Sequence, residues 1–201
     1  MRSPLRSARI ASLTMAHALA LPLALGMVAG VASAAEMNIS VELPKLDVAE
    51  YHRPYVAMWI EREDQSFVAN FSLWYQQKRG GGGGPGAAGG EGGGGGEGGT
   101  KWLNELRTWW RKNGREQTRF PIDGITGPTK PAGIQQMKFP GDKAPLASLA
   151  PGKYRLVVEA AREGGGREVV RVPFEWPAKS AQSLTGKGAS ELGTVALNVS
   201  P

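Results

Sequence analysis

The 201-residue chain contains no cysteine, which excludes disulfides and thiolate metal sites together. Histidine is nearly as scarce, since His17 and His52 are the only two. His17 falls in the leader described below, and a lone imidazole cannot build a histidine-rich metal centre. His52 is expected at a strand edge. No G-x-S-x-G sequence occurs, so the nucleophile elbow of many hydrolases is missing. No G-x-x-x-x-G-K-[ST] occurs either, which excludes a P-loop phosphate cradle. Beyond residue 35 no stretch approaches the ~18 consecutive apolar residues of a membrane span.

An excess of one charge is also missing. The chain has 24 Lys+Arg against 18 Asp+Glu, and setting aside Arg2, Arg6 and Arg9 of the leader leaves 21 − 18 = +3. So mild a balance does not argue for nucleic acid.

Residues Met1 to Ala35 read as a secretory signal. A basic start is followed by the apolar stretch Ile10 to Gly30, and Val31-Ala-Ser-Ala-Ala35 offers small residues for cleavage after Ala34 or Ala35. The mature chain is then expected in a bacterial periplasm, with no stable membrane insertion. Its 201 − 35 = 166 residues suffice for one domain with its own core, 36–201.

The alternation of Ile39, Val41 and Leu43 predicts a strand, and Tyr55–Ile60 with Phe67–Trp74 predicts a hairpin. Residues 135–150 read as turns. Tyr154, Leu156 and Val158 give one apolar face to a strand over 153–161, facing a mixed one. A return strand over 167–174 and a closing strand over 192–199 complete the set. Fifteen glycines crowd the twenty positions from Gly80 to Gly99, so 79–100 is expected to be a flexible, disordered loop. A helix is predicted from Thr100, as N-cap, to Gly114, as stop. Its 3.6-residue period puts Trp102, Leu106 and Trp109 on one face, as core packing or, alternatively, with one indole flanking an aromatic cofactor. Seven basic and three acidic residues lie between Lys101 and Lys130, either to neutralise a cofactor phosphate or as a solvated face. The fold class is mainly β, an immunoglobulin-like β-sandwich with one inserted α-helix.

One stretch has side chains that point to chemistry. Asp123-x-x-Thr126-Gly127-Pro128-Thr129 resembles the acceptor motif of FAD:protein FMN transferases, D-x-x-[ST]-G-A-[ST], with Pro128 where Ala is usual. The resemblance implies covalent FMN on Thr129, with Asp123, Thr126 and Lys130 near its phosphate and Gly127 giving close approach. Asp-Gly and Thr-Gly-Pro are also ordinary turn chemistry, and Pro128 and Pro131 are expected to keep the segment out of regular sheet.

With Arg53-Pro-Tyr-Val-Ala-Met-Trp59, Trp109-Trp110 and Pro151-Gly-Lys-Tyr154 in order around that motif, residues 37–199 resemble an exported bacterial family, domain of unknown function 2271. The resemblance implies a periplasmic electron-transfer accessory protein working with a PepSY-type membrane protein and an FMN transferase, in iron acquisition. The alternative is a non-catalytic sandwich that binds a partner protein or ligand; an orphan hydrolase or isomerase ranks third.

Overall fold

The computed structural model describes residues 35–77 and 98–201. The leader, apart from Ala35, and the glycine-rich tract as far as residue 97 lie outside them.

Among the described residues, nine strands form two sheets that pack face to face as a β-sandwich. They are β1 (Glu36–Leu43), β2 (Tyr55–Arg62), β3 (Phe67–Tyr75), β4 (Thr126–Pro128), β5 (Gly133–Pro140), β6 (Gly152–Ala161), β7 (Arg167–Trp176), β8 (Gln182–Lys187) and β9 (Thr194–Ser200). One sheet runs β5-β1-β9-β8 and the other β4-β3-β2-β6-β7. Strict alternation supplies the core between them. Met37, Ile39, Val41 and Leu43 of β1 meet Val56, Met58 and Ile60 of β2 and Tyr154, Leu156 and Val158 of β6 in a single apolar cluster. Each large side chain buried there stabilises the fold by roughly 1.5–3 kcal/mol.

The predicted β2–β3 hairpin forms, with register irregularities between Met58 and Trp59 and between Ile60 and Glu61. Three strands, β4, β5 and β8, were not legible in the sequence. Residues 135–140, expected as turns, lie in β5, which pairs with β1 through Ile39 opposite Met137. Its apolar alternation is blurred because Ile134 points outward and is 66% exposed. Strand β8 carries only Leu184 as a large apolar residue and pairs with β9. At Gly186 an added Cβ would lie 2.6 Å from Val170 Cγ1, so only glycine lets β8 approach β7. The motif segment also departs from expectation. Despite its prolines it contributes the short edge strand β4, parallel to β3, with Trp74 opposite Gly127.

The helix prediction needs the largest correction. The region is broken into a 3-10 helix, Gly98–Glu105, then α1 (Arg107–Lys112) and a second 3-10 turn, Gly114–Glu116. Residues 98–100, expected within the flexible insert, already belong to the first of these, and Gly99 donates to the Gln76 carbonyl at 2.8 Å. Thr100 is therefore not an N-cap. With three residues per turn, the buried stripe is Leu103, Leu106 and Trp109. Trp102 falls outside it and is 45% exposed, so its assignment to the core does not hold.

This helical segment covers the second face of the five-stranded sheet, over Ala57, Trp59, Leu73, Tyr75 and Val157. Two buried carboxylates hold it there. Glu159, near the end of β6, accepts from the Thr108 and Trp109 backbone N–H groups at 3.0 and 2.8 Å and pairs with Arg167 at 2.8 Å. It supplies the cap that α1 lacks from its own flanking residue. Glu61 accepts from the Trp59 indole at 3.0 Å and pairs with Lys112, in the last turn of α1, at 3.2 Å. Gly114 passes beneath two indoles, where a Cβ would lie 2.5 Å from Trp110 and 2.8 Å from Trp109.

Candidate functional site

Strand register brings several chain segments to one end of the five-stranded sheet. Tyr55 opens β2 opposite Ala161, which ends β6. Pro128 ends β4 opposite Tyr75, which ends β3. The connections at that end therefore converge: the loop before β2, the residues after β3 and β4, the β6–β7 turn, and the 3-10 helix.

Between them lies a cavity of about 460 Å³, within the ~300–1,000 Å³ span of small-molecule sites. Tyr51, His52 and Arg53 line it from the loop, Tyr55 and Gln76 from the strand ends, Trp102 and Glu105 from the 3-10 helix, and Ala161 to Gly165 from the turn. Thr129, the residue after β4, completes the wall.

The wall is held by specific contacts. Glu191 is buried and accepts from Arg162 Nε and Nη2 at 3.0 and 3.1 Å and from the Gly166 N–H at 2.7 Å. This braces the β6–β7 turn and neutralises the Arg162 charge. His52, which lies in the loop rather than at a strand edge, pairs with Glu50 at 3.1 Å. Arg53 is exposed and forms no ion pair among the described residues. Burial pushes the Tyr55 hydroxyl above its ordinary value, against the lowering effect of a backbone hydrogen bond at Gln76. That hydroxyl stays protonated at neutral pH.

Of the five residues singled out by the motif, Thr129 alone lines the cavity. Thr126 Oγ1 accepts from the Ile122 N–H at 2.8 Å, while its own N–H donates to the Ile122 carbonyl at 3.1 Å. Its hydroxyl thus staples the turn that Gly124 makes possible at φ +76°. Asp123 is exposed in that turn. Lys130 Nζ sits 5.7 Å from the centre of the Trp74 ring, a cation–π distance. At Gly127 a Cβ would make only ordinary contact with Trp74, at 3.5 Å; the fold itself does not require glycine there.

Pro128 is better tolerated than its chemistry implies. Leu73 N donates to the Ile125 carbonyl at 2.8 Å, so Ile125 and Gly127 turn their backbone groups toward β3. Pro128, one residue out of phase, turns its missing N–H toward the free edge. No ladder bond is lost.

The seven basic residues from Lys101 to Lys130 do not line this cavity; its arginines are Arg53 and Arg162. Sequence reasoning missed both of these, together with Tyr51 and Tyr55. The signal available was their adjacency to Arg53-Pro-Tyr and to the hairpin tip Glu163-Gly-Gly, which carries no motif of its own.

Among the described residues no helix is long and apolar enough to cross a membrane. No curated protein and no solved structure matches the chain. A family model described as "predicted periplasmic protein (DUF2271)" matches residues 36–194, a span that takes in every wall of the cavity and the strands from β1 to β8, and ends on the first residue of β9. The chain belongs to that family of predicted periplasmic proteins.

Proposed function

We propose that this periplasmic protein is an electron-transfer accessory that carries FMN covalently on Thr129. The observation that carries the reading is the position of Thr129. Thr129 follows an edge strand and lines a cavity that is also lined by Tyr51, Tyr55, Trp102 and Arg53. Those residue types suit FMN: aromatic surface for a planar ring, and a guanidinium for its phosphate.

In the loading step, Thr129 Oγ attacks the FMN phosphorus of FAD. The pyrophosphate bond breaks, AMP leaves, and the hydroxyl proton passes to a base of the transferase. One phosphoester forms and no electrons move. The bound flavin then supplies redox chemistry, while the protein contributes position and exclusion of water. A tether also keeps the cofactor concentrated near its partners, for which a PepSY-type membrane protein in iron acquisition is the proposed case.

The second reading is a sandwich that binds a ligand or partner without covalent flavin. It is favoured by Thr126 and Lys130, each of which has a structural contact outside the cavity. Co-expression with an FMN transferase, followed by denaturation, separates the two. A flavin absorbance band that stays with the unfolded chain, and is absent from Thr129→Val, is the expected result. A band lost on denaturation, or none, contradicts the tether.

A further inference from the structure

A phosphoester on Thr129 fixes one end of FMN, and the ring at the other end needs its own support. Val48, Trp102 and Ile134 are the large apolar residues left exposed among the described residues, and of these Trp102 lines the cavity. Its exposure is built in. The neighbouring Leu103 and Leu106 are fully buried, and the three-residue turn that buries them rotates residue 102 off the sheet. Gly99 anchors the start of the same turn on the Gln76 carbonyl, and the Lys101 ammonium lies 4.9 Å from the indole centre. The indole is therefore carried on a fixed support at the rim instead of on a free loop.

We infer that Trp102 is the stacking platform for the isoalloxazine ring of the flavin joined to Thr129, an inference that rests on the reading of Thr129 given above. A planar, electron-poor heteroaromatic ring is the ligand class an exposed indole receives best. Trp102 acts here as a positioning residue, holding the ring against the wall while Thr129 holds the phosphate.

The test uses unmodified protein, from cells without an FMN transferase, titrated with FMN while flavin fluorescence is followed. Flavin-loaded protein is measured alongside, per bound flavin. Stacking on the indole quenches FMN fluorescence; Trp102→Ala weakens FMN binding by about ten-fold, the contribution of a base–aromatic stack. Trp102→Phe recovers part of the loss, and thermal unfolding of the three proteins coincides. In the loaded protein Trp102→Ala brightens the tethered flavin. Equal FMN binding and equal fluorescence in native protein and Trp102→Ala overturn the platform. Trp102-dependent binding of free FMN without transfer to Thr129 keeps the platform and removes the tether; transfer with Trp102-independent fluorescence does the reverse. No transfer and no saturable FMN binding removes both.

Discussion

The two faces of the five-stranded sheet are both buried, yet by different means. The face turned toward β1 and β9 is mainly apolar, and side chains from the two sheets fill it. The face under the helical segment buries Trp59, Trp109 and Val157 beside the carboxylates Glu61 and Glu159. The first is held by area and the second also by direction. Apolar contact alone would let a six-residue helix slide, whereas Glu159 fixes the first turn of α1 and Glu61 its last. Fixing α1 fixes the preceding 3-10 turn, and with it the indole at the cavity rim. One Glu61 oxygen lacks a hydrogen-bond partner, with Arg171 at 3.8 Å; this face gives up some stability for that placement.

If that contrast is right, the helical face should fail abruptly at a few residues. Trp109→Ala removes a fully buried indole and its bond to Asn70 at 2.8 Å, and should cost about 3–5 kcal/mol in denaturant unfolding. Trp102→Ala, on the same short segment, should cost under about 0.5 kcal/mol, as for an exposed position. Equal costs would erase the distinction between the buried stripe and the rim.

Glu159→Ala leaves two backbone donors and Arg167 without their carboxylate. A loss of about 3–5 kcal/mol is expected for breaking a buried pair from one side, with hydrogen exchange accelerating first at Thr108 and Trp109. Protection that falls uniformly over the sandwich would show that Glu159 serves the sheet and not the helix.

A smaller effect belongs to Glu168 of β7, which holds the loop between β8 and β9 through backbone N–H groups. Burial by itself would push the Glu168 carboxyl up, but N–H groups of Ala189, Leu192 and Ser190 hold it below its ordinary value of 4.5. A carboxyl lowered in the folded state contributes stability that is complete above the unfolded value. That contribution is lost as pH falls through the folded value. Glu168→Ala should therefore cost about 1–2 kcal/mol near neutrality. The gap from the native protein should close as pH drops below 4.5, and a pH-independent gap would refute the assignment.

The same contrast explains what could be read from the sequence. The inner face is a period of two, and β1, β2, β3, β6, β7 and β9 follow from it. The helical face is not periodic in one mode, since Leu103, Leu106 and Trp109 recur at three instead of 3.6. An α-helical wheel therefore exchanges Trp102 for Leu103. Glu159 sits in the mixed face of a strand, where nothing in its neighbours separates a solvated carboxylate from a buried cap. The cavity was less legible still. Thr129 was visible through its motif, but Tyr51, Arg53 and Arg162 reach it through strand register, which local sequence does not encode.

Cleavage of the leader offers the gentlest check. The Ala35 carbonyl accepts from the Gly141 N–H at 2.6 Å, and Ala32-Ser33-Ala34 fits an A-x-A site. The mature chain should begin at Ala35, and amino-terminal sequencing that begins at Glu36 would remove that bond from the account.

The central claim is the identity of the acceptor atom, and peptide-level mass analysis tests it most directly. Trypsin does not cut the Lys130–Pro131 bond, so the peptide from Phe120 to Lys138 contains Thr126 and Thr129 as its only hydroxyl side chains. After co-expression with an FMN transferase, that peptide should gain one FMN less water, with fragment ions placing the gain on Thr129. Thr129→Val should show none, and Pro128→Ala, which restores a backbone donor on the free edge, should be loaded at least as fully as the native chain. An unmodified peptide in both the native chain and Pro128→Ala, or a gain on Thr126, would contradict the account.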